Sequence, residues 1–139
     1  MPETVNPAKR KLNFVCVCFL VDDVVKSAEY YRDVLGFSFE RYWGEPPCFV
    51  MLRRDGVEFF FSSHGKPGVV RPNRTVNPEF HWDGAVNVCN IDSLYEEFKS
   101  KGAKRTRDPE VTFYEMKEFE IEDCNGYCIC FGQDVGGES

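Results

Sequence analysis

Short apolar runs of period two and longer segments of period near 3.6 follow one another in an order that occurs twice along the chain. Leu12 to Val21 (LNFVCVCFLV) is almost wholly apolar and reads as a strand buried on both faces. In the following DDVVKSAEYYRDVLG, Val24, Ala28, Tyr31 and Leu35 share one helical face. Asp22 or Asp23 can cap that helix and Gly36 stops it. Three strand-like runs come next, FSFERYW, CFVMLRR and VEFFFSS, the last two joined by the hairpin signal Arg54-Asp55-Gly56.

The second half repeats the plan. GAVNVCN reads as a strand and DSLYEEFKSKG as a helix with Leu94 and Phe98 inward and Gly102 as its stop. Further strands are predicted near Lys104–Arg107, Glu115–Glu122 and Tyr127–Phe131, and the closing hairpins match, DGVEFFF against NGYCICF. Two βαβββ units in an α+β fold are the economical reading. One domain then covers 12–133, divided into a first unit at 12–63, a crossover loop at 64–82 and a second unit at 83–133. Residues 1–11 and 134–139 are expected to be disordered. The crossover, rich in Pro, Gly, Asn and Arg, is long for a compact domain; it reads either as a functional loop or as a plain connection.

Strand parity separates two faces. Val57, Phe59 and Phe61 oppose Glu58, Phe60 and Ser62. Tyr127, Ile129 and Phe131 oppose Cys128 and Cys130, and Val86 and Val88 oppose Asp83, Ala85 and Asn87. The bulky face suits packing against a helix. The smaller, more polar face suits either a cavity lining or solvent.

Composition narrows the functional classes. A net charge of −6 argues against a nucleic-acid partner, which needs a basic surface. No apolar run approaches the ~18–20 residues that span a bilayer, and MPETVNPAKRK lacks a signal peptide's apolar middle, so a cytoplasmic location is expected. The 7 cysteines are odd in number and several fall in apolar strands (Cys16, Cys18, Cys89, Cys128, Cys130), which suits buried thiols rather than disulfides. Neither a Ser-His-Asp order, a phosphate-cradling glycine motif nor a Cys-x-x-Cys redox pair is present.

The stretches VDDVVKSAEYYRDVLGFSFER, RRDGVEFFF and EFEIEDCNGYCICFGQ resemble the vicinal oxygen chelate superfamily, which includes glyoxalase I, extradiol dioxygenases and bleomycin-resistance proteins. The resemblance runs from about Leu12 to Gln133. It implies a cup-shaped, curved mixed sheet with helices on its outer face, and a homodimer that completes the cups. Metal-dependent relatives carry ligands at four positions that correspond here to Cys16, Phe60, Asp83 and Cys130. A phenyl ring coordinates nothing, and two thiols with one carboxylate are not the oxygen and imidazole set that such ions take. No metal and no cofactor are therefore expected. A zinc site built from Cys16, Cys18, Cys128 and Cys130 is the sharper alternative, weighed against thiols that simply pack a cup floor.

The candidate ligand-binding residues are Trp43, Glu58, Phe60, Asp83, Cys16 and Cys130, with no catalytic residue assigned. Trp43 precedes a Pro-Pro turn, where an aromatic can sandwich a planar or cationic ligand or close the core. His64 reads as a solvated loop residue, and His81, two residues from Asp83, as an acid–base partner or a surface pair. The expected function is metal-free sequestration of a small aromatic or cationic molecule by a homodimer. The alternative is a lyase, isomerase or dioxygenase with an atypical metal or an acid–base site.

Overall fold

The computed structural model describes residues 9, 11–63, 68, 70–79 and 82–136. The first unit comprises β1 (Val17–Val21), α1 (Val24–Asp33), β2 (Tyr42–Trp43), β3 (Phe49–Arg54) and β4 (Val57–Ser63). A short helix α2 (Asn73–Val76) lies in the crossover. The second unit comprises β5 (Gly84–Asn87), α3 (Ile91–Ser100), β6 (Lys104–Val111), β7 (Met116–Glu122) and β8 (Cys128–Asp134). The strands form two four-stranded mixed sheets, ordered β1-β4-β3-β2 and β5-β8-β7-β6. In each, the first strand runs parallel to the last and the remaining pairs are antiparallel. The repeated βαβββ plan is thus the observed one.

Local chemistry explains the elements. Asp23 caps α1 by accepting the Lys26 amide at 3.0 Å, and Gly36 leaves the helix at φ 80°, a region only glycine enters freely. Val24, Ala28, Tyr31 and Leu35 are all buried, as are Val50, Leu52, Phe59 and Phe61 on the facing strands. In the second unit Phe98 of α3 meets Phe119 and Phe131 edge-on, at 6.1 and 5.3 Å between ring centroids.

Several boundaries differ from the sequence reading. The first strand begins only at Val17, because its pairing with β4 starts at Val17–Phe59 and none of the described residues pairs with those before it. Leu12, Phe14 and Val15 stay exposed, and so does Leu20, so the strand is buried on one face only. FSFERYW gives a lone bridge from Ser38 to Arg53 and then the two-residue β2, since the pairing slips by one residue between Ser38–Arg53 and Tyr42–Val50. β6 runs on to Val111 with two register shifts. β8 extends to Asp134, and the Val135 amide donates to the Glu115 carbonyl at 3.0 Å. All 7 cysteines are free thiols, yet only Cys128 and Cys130 are buried; Cys18 and Cys89, expected inside, are exposed because they sit on the solvent side of edge strand β1 and just past the end of β5. His64 and His81 lie outside the described residues.

The two units share one core, joined where each helix meets the other unit's hairpin. In the first joint the Tyr31 hydroxyl donates to Asp123 Oδ2 at 2.7 Å. Asp123 Oδ1 accepts the Asn125 and Tyr127 amides at 2.8 and 2.9 Å, and the Asn125 side chain donates to Ser27 Oγ at 3.0 Å. In the second joint Arg54 forks onto Glu97 at 2.8 and 2.9 Å and donates to the Leu35 carbonyl at 2.7 Å.

Burial pushes the Asp123 carboxyl up from 3.8 to about 6, although its bonds to Tyr31, Asn125 and Tyr127 pull it down. A raised folded-state value means that the native state holds the extra proton. The stability contributed by this group is therefore complete below 3.8 and lost as pH rises through about 6. In urea titrations, Tyr31→Phe is expected to cost about 1.5–3 kcal/mol at pH 7, where it strands a buried carboxylate, and less at pH 4. Asp123→Asn should flatten the decline between pH 4 and 6. A Tyr31→Phe cost independent of pH would contradict this assignment.

Candidate functional site

With the helix-facing side of each sheet committed to the core, the opposite sides carry what remains for chemistry. On the first sheet the register places Trp43 beside Phe49, Met51 beside Phe60, Arg53 beside Glu58, and Cys18 beside Phe60. Trp43, Phe49 and Phe60 thereby form an aromatic row across three strands, with centroid spacings of 5.9 and 5.6 Å. The Arg41 guanidinium lies over the Trp43 ring at 4.6 Å from its centroid. Trp43, Met51, Arg53 and Glu58 line a hollow of about 170 Å³ with Ser38 and Glu40. Glu58 is half-buried, and its Oε2 accepts from Arg53 Nε and Nη2 at 3.2 and 2.8 Å.

On the second sheet this side is closed by a ladder of charges. Glu118, Glu120 and Glu122 alternate along β7 opposite Gly132, Cys130 and Cys128. Glu118 and Glu120 are buried, with side chains 4% and 8% exposed. Arg107 of β6 bonds Glu118 at 2.8 Å, Glu120 at 2.8 Å and Glu110 at 3.0 Å. Burial pulls the Arg107 guanidinium down, but these three carboxylates outweigh it and push the group up. Tyr114 Oη donates to Glu118 at 2.9 Å and Trp82 Nε1 to Glu120 at 3.1 Å, while Arg74 and Lys104 hold Glu122. Beneath this ladder the thiols of Cys128 and Cys130 are pushed up to about 12, first by burial and then by the neighbouring glutamates. Both side chains are buried, and in this setting they pack as neutral thiols rather than as activated nucleophiles.

The structure gathers Trp43, Glu58 and Phe60 on the first sheet and puts Cys16 one residue before β1. Asp83 and Cys130 belong to the second sheet. Asp83 accepts the Asn73 amide on Oδ1 at 2.7 Å and the Cys128 amide on Oδ2 at 2.8 Å, pinning the crossover to β8. The four positions that metal-dependent relatives use do not fit an ion here. Phe60 is a phenyl ring, the Asp83 carboxylate spends both oxygens on backbone amides, and the two thiols are split between the units, Cys16 just before β1 and Cys130 within β8 of the other sheet. Among the described residues no group of three or more His, Cys, Asp or Glu side chains is arranged to hold a metal ion.

Reading the sequence left out Phe49, Arg107 and the β7 glutamates. Glu118-Phe119-Glu120-Ile121-Glu122 opposite Cys128-Ile129-Cys130 carried the available signal: acidic and apolar residues alternate against a strand whose partner face is small.

The sequence profile of the Glyoxalase/Bleomycin resistance protein/Dioxygenase superfamily matches residues 12–131, and the chain belongs to that superfamily. Its fold is similar to that of a glyoxylase/bleomycin resistance protein/dioxygenase domain from Frankia sp. EAN1pec, with 18% identity, 92% of this chain and 96% of that one covered, and a TM-score of 0.72. It is also similar to the bleomycin resistance determinant encoded on the transposon Tn5, at 17% identity, 88% and 98% coverage and a TM-score of 0.69. TioX from Micromonospora sp. ML1 matches at 14% identity, 88% and 100% coverage and the same TM-score of 0.69. No curated protein sequence matches the chain. Among the described residues no helix is long and apolar enough to cross a membrane.

Removing Arg107 leaves two buried carboxylates without their cation. Arg107→Met is expected to destabilise the chain by about 3–5 kcal/mol in chemical denaturation. Adding Glu118→Gln and Glu120→Gln to that variant should restore most of the loss. A cost below 1 kcal/mol for Arg107→Met would show that the ladder is solvated.

Proposed function

We propose that the protein is a binding member of its superfamily, holding a small planar aromatic or cationic molecule without a metal and without a covalent step. Trp43 carries the reading. Its half-buried indole borders an open hollow, already holds a guanidinium over one face, and shares that hollow with Glu58. A cationic or flat ligand can displace Arg41 from the ring and gain the stacking and cation–π energy that Arg41 now draws. The row through Phe49 and Phe60 extends the same surface. The acid–base alternative finds little support, because Glu58 is engaged by Arg53 and both Asp83 oxygens by backbone amides.

A homodimer belongs to this proposal. The open side of the first sheet presents Leu20 and Met51, each 41% exposed, and the chain before β1 adds Leu12, Phe14 and Val15. A second copy laid over these groups would bury them and turn a shallow hollow into an enclosed cup.

Bleomycin serves as the first aromatic, cationic probe. Titrated into the protein, it is expected to quench the fluorescence of Trp43, and Trp43→Ala should weaken binding about tenfold, or ~1.4 kcal/mol. Sedimentation should give twice the 16.1 kDa chain mass, with Met51→Glu lowering both mass and affinity. Unchanged binding in Trp43→Ala, or a monomer that binds as well as the parent protein, would remove the basis of the proposal.

A further inference from the structure

The two joints between the units are related by the chain's own repeat, and only one of them is filled. The parallel registers Val17–Phe59 and Gly84–Ile129 are equivalent, so Phe19 corresponds to Val86 and Tyr127 to Val57. Helices α1 and α3 begin at Val24 and Ile91, equally far past Val17 and Gly84, so Tyr31 corresponds to Phe98. In the first joint Phe19 and Tyr127 stack at 4.4 Å with 17° between planes, and the Tyr127 hydroxyl donates to the Leu20 carbonyl. In the second joint both rings are replaced by valine.

The missing rings leave a groove of about 430 Å³ between β4, β5 and α3. Val57, Val86, Val88, Leu94 and Phe98 wall it, with the Arg54–Glu97 pair among its polar lining. The volume lies within the range of small-molecule sites, and an apolar cavity of about 150 Å³ already suffices for benzene. These walls belong to the helix-facing side of the sheets, away from Trp43 and the glutamate ladder.

We propose that this groove is a second small-molecule site, selective for a single aromatic ring bearing one hydrogen-bond donor, that is, a simple phenol. The chain supplies the template for its own ligand. The Tyr127 side chain is a 4-methylphenol, and it occupies the equivalent space in the first joint. A phenol ring entering the second joint lies between Val57 and Val86, as the Tyr127 ring lies on Phe19. Its hydroxyl meets a polar lining of Asn87, Asn90, Ser93 and Glu97. The site is independent of the sheet surface around Trp43.

The test titrates 4-methylphenol into the full chain and follows methyl and amide NMR shifts. Saturable shifts at Val57, Val86, Val88 and Leu94 are expected, with a Kd on the order of 1 mM for so small a ligand. They should persist in Trp43→Ala, which separates this site from the proposed cup. Val57→Tyr rebuilds the filled joint; it is expected to raise Tm by about 2–4 °C and abolish the shifts. Val57→Phe, which adds the ring without the hydroxyl, should do the same if the tyrosine variant does not fold. Shifts centred on Trp43, Phe49 and Phe60, absence of saturable shifts, or ring-filled variants that still bind would each overturn the proposal.

Discussion

A βαβββ unit has one helix and more apolar sheet than that helix covers, so each unit depends on the other to finish its core. The contact that meets this demand is the Tyr31–Asp123 hydrogen bond, 2.7 Å long and closed to solvent. It ties the last turn of α1 to the turn that starts β8. A buried carboxylate is tolerable only when its lone pairs are used, and Asp123 accepts one hydroxyl and two amides. The same bonds shape the Asp123–Asn125–Gly126 turn, with Gly126 at φ 90°. Interunit packing and turn geometry are therefore one interaction. The opposite joint solves the same problem with an Arg54–Glu97 fork over smaller side chains, which is why the pseudo-symmetric halves differ in how tightly they close.

Once the helices have claimed one side of each sheet, strand alternation leaves the other side to function. The two sheets use it differently. The second lays three glutamates over two thiols and neutralises them with Arg107, Arg74 and Lys104. Such a network contributes little net stability for its desolvation cost, and it sits where the β6–β7 pairing shifts register on either side of Arg107. The first sheet keeps its aromatic row and the Arg53–Glu58 pair near the surface. Membership in a superfamily that contains metalloenzymes does not by itself carry their chemistry across.

The pattern of the chain disclosed the repeat, the two ten-residue helices α1 and α3, the hairpins and the two faces, because each rests on a local rule, but not the short α2 in the crossover. Val24, Ala28, Tyr31 and Leu35 lie on the buried face that their spacing implies, and Val57, Phe59 and Phe61 face the helix while Glu58 and Phe60 do not. Extent was less legible. LNFVCVCFLV is apolar except for Asn13, yet strand formation needs a partner, and the pairing with β4 starts only at Val17. The charge ladder escaped notice for the converse reason. Alternating glutamates look like a solvated face until a cation on a different strand, Arg107, is known to cover them. Asp83, a ligand-binding candidate from its position on the strand, has a backbone role that no local rule announced: its carboxylate organises amides on the crossover and β8.

The central claim is that this chain uses its superfamily's fold without the superfamily's metal. Elemental analysis of tag-free protein, prepared without chelator and then incubated with Ni²⁺, Mn²⁺, Fe²⁺ and Zn²⁺, tests it most directly. The account predicts less than about 0.1 tightly held ion per chain under every condition. Near one ion per chain, lost in Cys130→Ala or Asp83→Asn variants that keep their fold, would contradict it and make those side chains ligands.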